Sequence, residues 1–160
     1  MNRRVLLSRP VLVAAALLLQ AVLLVVAVAP RLSARLAGTE YRLAAGPVDP
    51  IDPFRGAYVR LHYPGLPTAD GQKAGEVFVP LTRDGGLWKG TGIARQRPAA
   101  QPYLACRTWG YGSLSCGIDS LFLPQDEAHR VQDDLMGDRA AAVVKIDRNG
   151  NAAVVEVVPR

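Results

Sequence analysis

Histidine and cysteine are scarce in this 160-residue chain, with two of each. His62 and His129 stand far apart, and neither has a ligand partner at helical spacing such as H-x-x-x-H, so no metal centre is expected. Gly110-x-Gly112 lacks the strand-and-helix context of a phosphate loop, and no cofactor is expected. Nothing resembles a nucleophile motif around Ser33, Ser113, Ser115 or Ser120. Lys73, Lys89 and Lys145 lie in no Ser–Lys arrangement. Ser113, His62 and Asp119 can be assembled into a triad on paper, but so can three residues of almost any such length. There is no internal repeat, no low-complexity tract and no basic run. The formal charge of +5 therefore does not mark a nucleic-acid binder. Without Arg3, Arg4 and Arg9 the 19 basic residues fall to 16 against 14 acidic ones, with no interleaved aromatics.

What is present is one long apolar block. Val11 to Ala29, "VLVAAALLLQAVLLVVAVA", holds no charge and a single polar residue, Gln20. As a helix it reaches about 28 Å, close to the roughly 30 Å of a bilayer's hydrocarbon core. A helix in a soluble core would carry a polar stripe, which this one lacks. The reading is a transmembrane helix over 11–29, with the lipid bilayer as its partner. Ala27-Val28-Ala29 has the form of a signal-peptidase site. Pro30 and the length of the apolar run both favour retention as an anchor. Arg3, Arg4, Arg9 and the amino terminus outweigh Arg31 and Arg35, which points to N-terminus in and the C-terminal domain out. Residues 1–10 then form a cytoplasmic tail and 30–46 a juxtamembrane linker.

Residues 47–160 read as a small exported domain, mostly β within an α+β class and mainly antiparallel. Pro47, Pro50 and Pro53 stiffen its entry. "AYVRLHY", Ala57 to Tyr63, alternates cleanly, with Val59, Leu61 and Tyr63 toward a core and Tyr58, Arg60 and His62 outward. "EVFVPL" (Glu76–Leu81) and "LWKGTGIAR" (Leu87–Arg95) read as strands around an Arg83–Gly86 turn. Cys106 and Cys116 flank a glycine-rich turn centred on Tyr111. Strands Tyr103–Thr108 and Leu114–Leu123 would then face each other, with a disulfide favoured over two buried thiols. "PQDEAHRVQDDLMG" carries helix signals over 124–136: Pro124 at its start, acidic residues in its first turn and Gly137 as its stop. At the end, two β-branched runs surround Asn149-Gly150, a type I′ hairpin signal. That turn pairs Ile146 with Ala153, Val144 with Val155, Ala142 with Val157, Val143 with Glu156 and Lys145 with Val154, and makes Lys145 and Glu156 diagonal neighbours.

"GAYVRLHY", Gly56 to Tyr63, resembles the signature Gly-Asp-Tyr-x-x-Leu-x-Tyr of the GDYXXLXY family, uncharacterised membrane-anchored bacterial proteins. Gly56, Tyr58, Leu61 and Tyr63 match, and Ala57 replaces the usual Asp. "PVDPIDPFRG" is similar to the family's Pro-x-Asp-Pro-x-Asp-x-x-Arg-Gly approach, ending at Arg55-Gly56. "CGIDSLFLPQDEA" is similar to a later segment, with Gly117, Ile118, Phe122 and Pro124 matching and Asp119 standing for Glu. The resemblance implies one N-terminal membrane helix, an exported domain in the bacterial envelope, and a multi-spanning membrane protein as partner. It implies no reaction.

The reading that follows is a membrane-anchored, non-enzymatic accessory or interaction protein. An envelope hydrolase and a ligand-binding or sensor domain are the alternatives. Tyr58, Arg60 and His62 form its candidate binding face, because tyrosine and arginine combine apolar area with directed hydrogen bonds.

Overall fold

Helix α1, Arg9–Ala37, opens the chain and carries the apolar block without interruption. The computed structural model describes residues 9–47, 58–112, 114–122 and 140–160. The expected helix over 124–136, Pro124, the proline-rich entry, Arg55, Gly56 and Ser113 lie outside the described residues. Leucines and valines cover α1 all round and stay exposed to its surroundings, Leu18 at 68% and Val25 at 67%. Pro30 sits inside the helix. It withholds one N–H there, yet the helix continues for two more turns because its last residues are docked. Ala34 is fully buried, and Gly38 stops the helix by donating its N–H to Ala34 at 2.9 Å. A Cβ at Gly38 would collide with the Ala34 carbonyl oxygen and stand 2.9 Å from the Ile146 nitrogen. Only glycine lets the helix end meet the sheet this closely.

The segment expected to be a linker over 30–46 is instead the end of α1 followed by strand β1, Thr39–Pro47. β1 is a central strand, with Leu43 and Ala45 each 1% exposed and Arg42 outside. Its period-two pattern is short and alanine-rich, and it follows the helix after a single glycine. The strong helical signal upstream masks it.

Seven further strands follow: β2 (Tyr58–His62), β3 (Gly75–Asp84), β4 (Leu87–Gly90), β5 (Tyr103–Thr108), β6 (Ser120–Phe122), β7 (Ala140–Ile146) and β8 (Ala152–Pro159). The domain is mostly strand, as expected. Its one curled, mixed sheet runs β5-β3-β4-β1-β2-β6, and β7 branches from β1 along Thr39–Ala45, opposite β4, with β8 beyond it. β1 and β4 run parallel through Leu43 and Trp88, where Tyr41 and Trp88 meet edge to face at 5.1 Å. The other described pairs are antiparallel. The sheet curls around Leu43, Val77, Val79, Leu104, Ile118 and Val144. Full burial of Leu104 and Ile118 stabilises the fold by about 1.5–3 kcal/mol each.

Three further expected elements differ from those observed. The strand expected over Leu87–Arg95 ends at Gly90, and the chain rejoins β3 only through a single bridge from Ala94 to Phe78. The strand expected over Leu114–Leu123 shrinks to the Arg107–Ser115 bridge beside β5 and the short β6. Gly117, at φ 76°, turns the chain away from β5 between them.

The third difference is in the last hairpin. Ala142–Val157 and Val143–Glu156 pair as expected, but a bulge between Val143 and Val144 shifts the rest, giving Val144–Val154, Lys145–Ala153 and Ile146–Ala152. Asp147 is the cause. Its carboxylate accepts hydrogen bonds from the Asn149 and Asn151 amides at 2.8 and 3.0 Å. This caps a three-residue loop, Arg148 to Gly150, with Gly150 at φ 80°, in place of the two-residue turn. Lys145 accordingly pairs with Glu40 at 3.6 Å across β1, and not with Glu156.

Candidate functional site

The two sequence segments that resemble the family motifs lie side by side. β2 and β6 pair Tyr58 with Phe122, Val59 with Leu121 and Arg60 with Ser120, and the Leu61 N–H donates to the Asp119 carbonyl at 3.0 Å. Alternation along β2 sends Leu61 (4% exposed) and Tyr63 (6%) into the core and leaves Arg60 and His62 exposed. Ile118 is fully buried beneath them. The Tyr63 hydroxyl donates to the Ile118 carbonyl at 2.9 Å. Burial, with the Asp119 charge nearby, holds the phenol far above its ordinary pKa. Tyr63 is therefore a fixed structural donor, and Leu61, Tyr63, Gly117 and Ile118 serve packing and chain direction.

The Cys106–Cys116 disulfide closes the facing hairpin, with the two Cα atoms 4.1 Å apart. Its tip carries Trp109, 56% exposed, and Tyr111, 71% exposed. Outside α1, the other exposed large apolar residue among the described residues is Val155, at only 37%. Between the tip and β2 lies an open cleft of about 440 Å³. Arg60 and His62 form one wall, Trp109 and Tyr111 another, with Leu114 and Asp119 between.

Asp119 is the unusual group here. Although its outer surface is open to solvent, its carboxyl is set into the cleft wall. Partial burial pushes its pKa up, against the hydrogen bond from Ser115 and the charges of Arg60 and Arg31. A carboxylate bonded directly to a serine hydroxyl braces a loop.

Arg60 and His62 of the expected binding face thus share a cleft, while for Tyr58 only the backbone pairing is described. Trp109 and Tyr111 were not foreseen as a site. The available signal was two aromatics flanking a glycine at a hairpin tip, where no core can cover them. Among the described residues no three His, Cys, Asp or Glu side chains come together as a metal site.

Comparison with curated proteins and with solved structures returns no match. A family model described as GDYXXLXY protein matches residues 20–157, from the middle of α1 to near the end of β8. Both paired motif strands and the disulfide hairpin lie within that span, and the chain belongs to the GDYXXLXY family.

Proposed function

We propose that the protein is a membrane-anchored, non-enzymatic accessory protein of the bacterial envelope. In this reading α1 spans the inner membrane with its N-terminus inside, and the β domain stands outside and engages a multi-spanning membrane protein through the β2 cleft. The observation that carries the reading is α1 itself. The helix is long and apolar enough to cross a membrane, and its apolar window has no protein packed on it. So many exposed leucines and valines in water would drive aggregation, whereas lipid covers them at no cost.

Retention of the helix is favoured because Ala27 to Ala29 is helical and runs directly into the docked turn that ends at Ala37. The disulfide supports an oxidising compartment for the domain. Arg60, His62, Trp109 and Tyr111 offer the mixture of aromatic area and directed polar groups that protein interfaces use.

Fusing alkaline phosphatase after residue 40 tests the orientation. Activity is expected, and an inactive fusion reverses the topology. Photo-crosslinking from position 62 in intact membranes is expected to trap a membrane protein. Labelling of the purified protein by a covalent serine-hydrolase probe would overturn the non-enzymatic reading.

A further inference from the structure

A second cleft, of about 470 Å³, lies between α1 and the disulfide hairpin. Ala27, Pro30 and Arg31 form its helix wall, and Arg107, Ser115 and Gly117 its hairpin wall. Ala27 and Arg31 are four residues apart, one above the other on the same helix face. The apolar run ends at Ala29. Arg31 therefore stands within one helical turn, about 5 Å, of the hydrocarbon boundary, at the level of the lipid phosphates.

The hairpin approaches the same level. Ala105 of β5 donates to the Gly150 carbonyl at 2.8 Å, beside the loop that Asp147 anchors to Ser33. Two residues on, Arg107 is in the cleft with Ala27, six positions nearer the membrane along α1 than Ser33. β5 thus runs toward the membrane end of α1, and Trp109 follows two residues after Arg107. The Arg107 guanidinium lies 5.9 Å from the Trp109 ring centre.

We propose that this cleft binds the phosphate of an anionic phospholipid, held by Arg31 and Arg107, with Trp109 and Tyr111 seated in the interface beside it. The inference rests on α1 spanning the bilayer. The charges around the cleft decide the lipid class. Glu76 faces Arg107 across the β3–β5 pair and lines the cleft, leaving an excess of one positive charge. Among the described residues neither arginine is in an ion pair. Asp119, the next acid, feels the charges of Arg60 and Arg31, and counting Arg60 with it leaves the excess at one positive charge. Ser115 and Asn151 add uncharged polar groups. One excess cation favours phosphatidylglycerol over phosphatidylcholine, whose choline would sit against the arginines. The apolar wall at Ala27 favours a lipid over free phosphate. Trp and Tyr are the residues that settle at the headgroup level.

The test uses the full-length protein, extracted in mild detergent and examined by native mass spectrometry with equal amounts of phosphatidylglycerol and phosphatidylcholine. Preferential retention of phosphatidylglycerol is expected. Arg31→Gln or Arg107→Gln should each weaken it about fivefold, and both together about thirtyfold. Glu76→Gln should strengthen it. All three positions are exposed, so these variants should fold, and an unchanged oxidised gel mobility checks the disulfide. In vesicles, brominated phosphatidylglycerol should quench tryptophan emission, and Trp109→Phe should remove most of the quenching. Equal retention of the two lipids, or retention unaltered in the double arginine variant, overturns the proposal. Displacement of the lipid by inorganic phosphate makes this a free-anion site and overturns it too. Resistance of the protein to carbonate extraction, scored separately, reports whether α1 spans the bilayer at all.

Discussion

Replacing Asp147 by alanine should loosen the junction between helix and domain more than any other single polar change at that junction. The residue is 4% exposed, and its carboxylate accepts four hydrogen bonds. The Ser33 hydroxyl donates at 2.7 Å, the Asn151 side-chain amide at 2.9 Å, and the Asn149 and Asn151 N–H groups at 2.8 and 3.0 Å. Burial opposes ionisation, but these donors outweigh it and hold the pKa below the ordinary 3.8.

Bonds to a charged acceptor contribute about 1.5–3 kcal/mol each when counted singly, and they do not add. Asn149 is exposed, so water can replace the carboxylate there, and an overall loss of about 3 kcal/mol is reasonable. For a domain of this size that is a fall in Tm of about 10–15 °C, measured by circular dichroism on the detergent-solubilised full chain. Ser33→Ala should cost about 1–2 kcal/mol on its own. The double variant should show a coupling of about 1 kcal/mol, because the two residues share one bond.

The pH dependence follows from the same lowered pKa. A carboxylate more acidic in the folded state stabilises fully above its ordinary pKa of 3.8. That contribution is lost as pH falls through the lowered folded value. The stability difference between wild type and Asp147→Ala should therefore shrink only in strong acid. A fall in Tm below about 3 °C, or strictly additive effects of the two changes, would refute the reasoning.

Three further changes test other parts of the fold. Gly150→Ala places a Cβ 2.6 Å from the Tyr103 ring at a positive φ and should cost about 2–4 kcal/mol, read as a lowered urea midpoint with an unchanged m-value. Cys116→Ser opens a ten-residue loop and should cost about 2–3 kcal/mol. It should also abolish the mobility difference between reduced and oxidised protein on a gel, and a persisting difference would mean that Cys106 bridges to a second molecule. Asp119→Asn should raise Tm at neutral pH. A raised pKa means the folded state prefers the protonated form, whose advantage is present below the ordinary 3.8 and lost as pH rises through the folded value. Unchanged or lowered stability in Asp119→Asn would mean that the Ser115 bond matters more than the partial burial of the charge.

Local patterns made several elements legible. The alternation of Val59 to Tyr63 located β2, and the run from Tyr103 to Thr108 matched β5 in both bounds. The Gly110 and Gly112 turn was enough to set Cys106 opposite Cys116. Each depends on residues within about ten positions of one another, where periodicity and turn chemistry act. The last hairpin marks the edge of that regime. Its outer pairs were legible, but its inner pairs were moved by one side chain, Asp147, whose hydrogen bonds outweighed the preference of Asn-Gly for a tighter turn.

The amino-acid sequence by itself determined that this chain has one membrane-length apolar helix, a β-rich domain, two cysteines flanking a glycine-rich turn and a close variant of the GDYXXLXY signature. Composition and short-range pattern are sufficient for each. Only the tertiary structure decided that β1 lies at the centre of the sheet, that the two motif segments pair as β2 and β6, and that Ser33 reaches Asp147 across 114 residues. It also brought Arg31 and Arg107 to one cleft. Such contacts depend on how the sheet curls to bury Leu43, Leu104 and Ile118 together, and that burial is a sum over the whole chain which no local window contains.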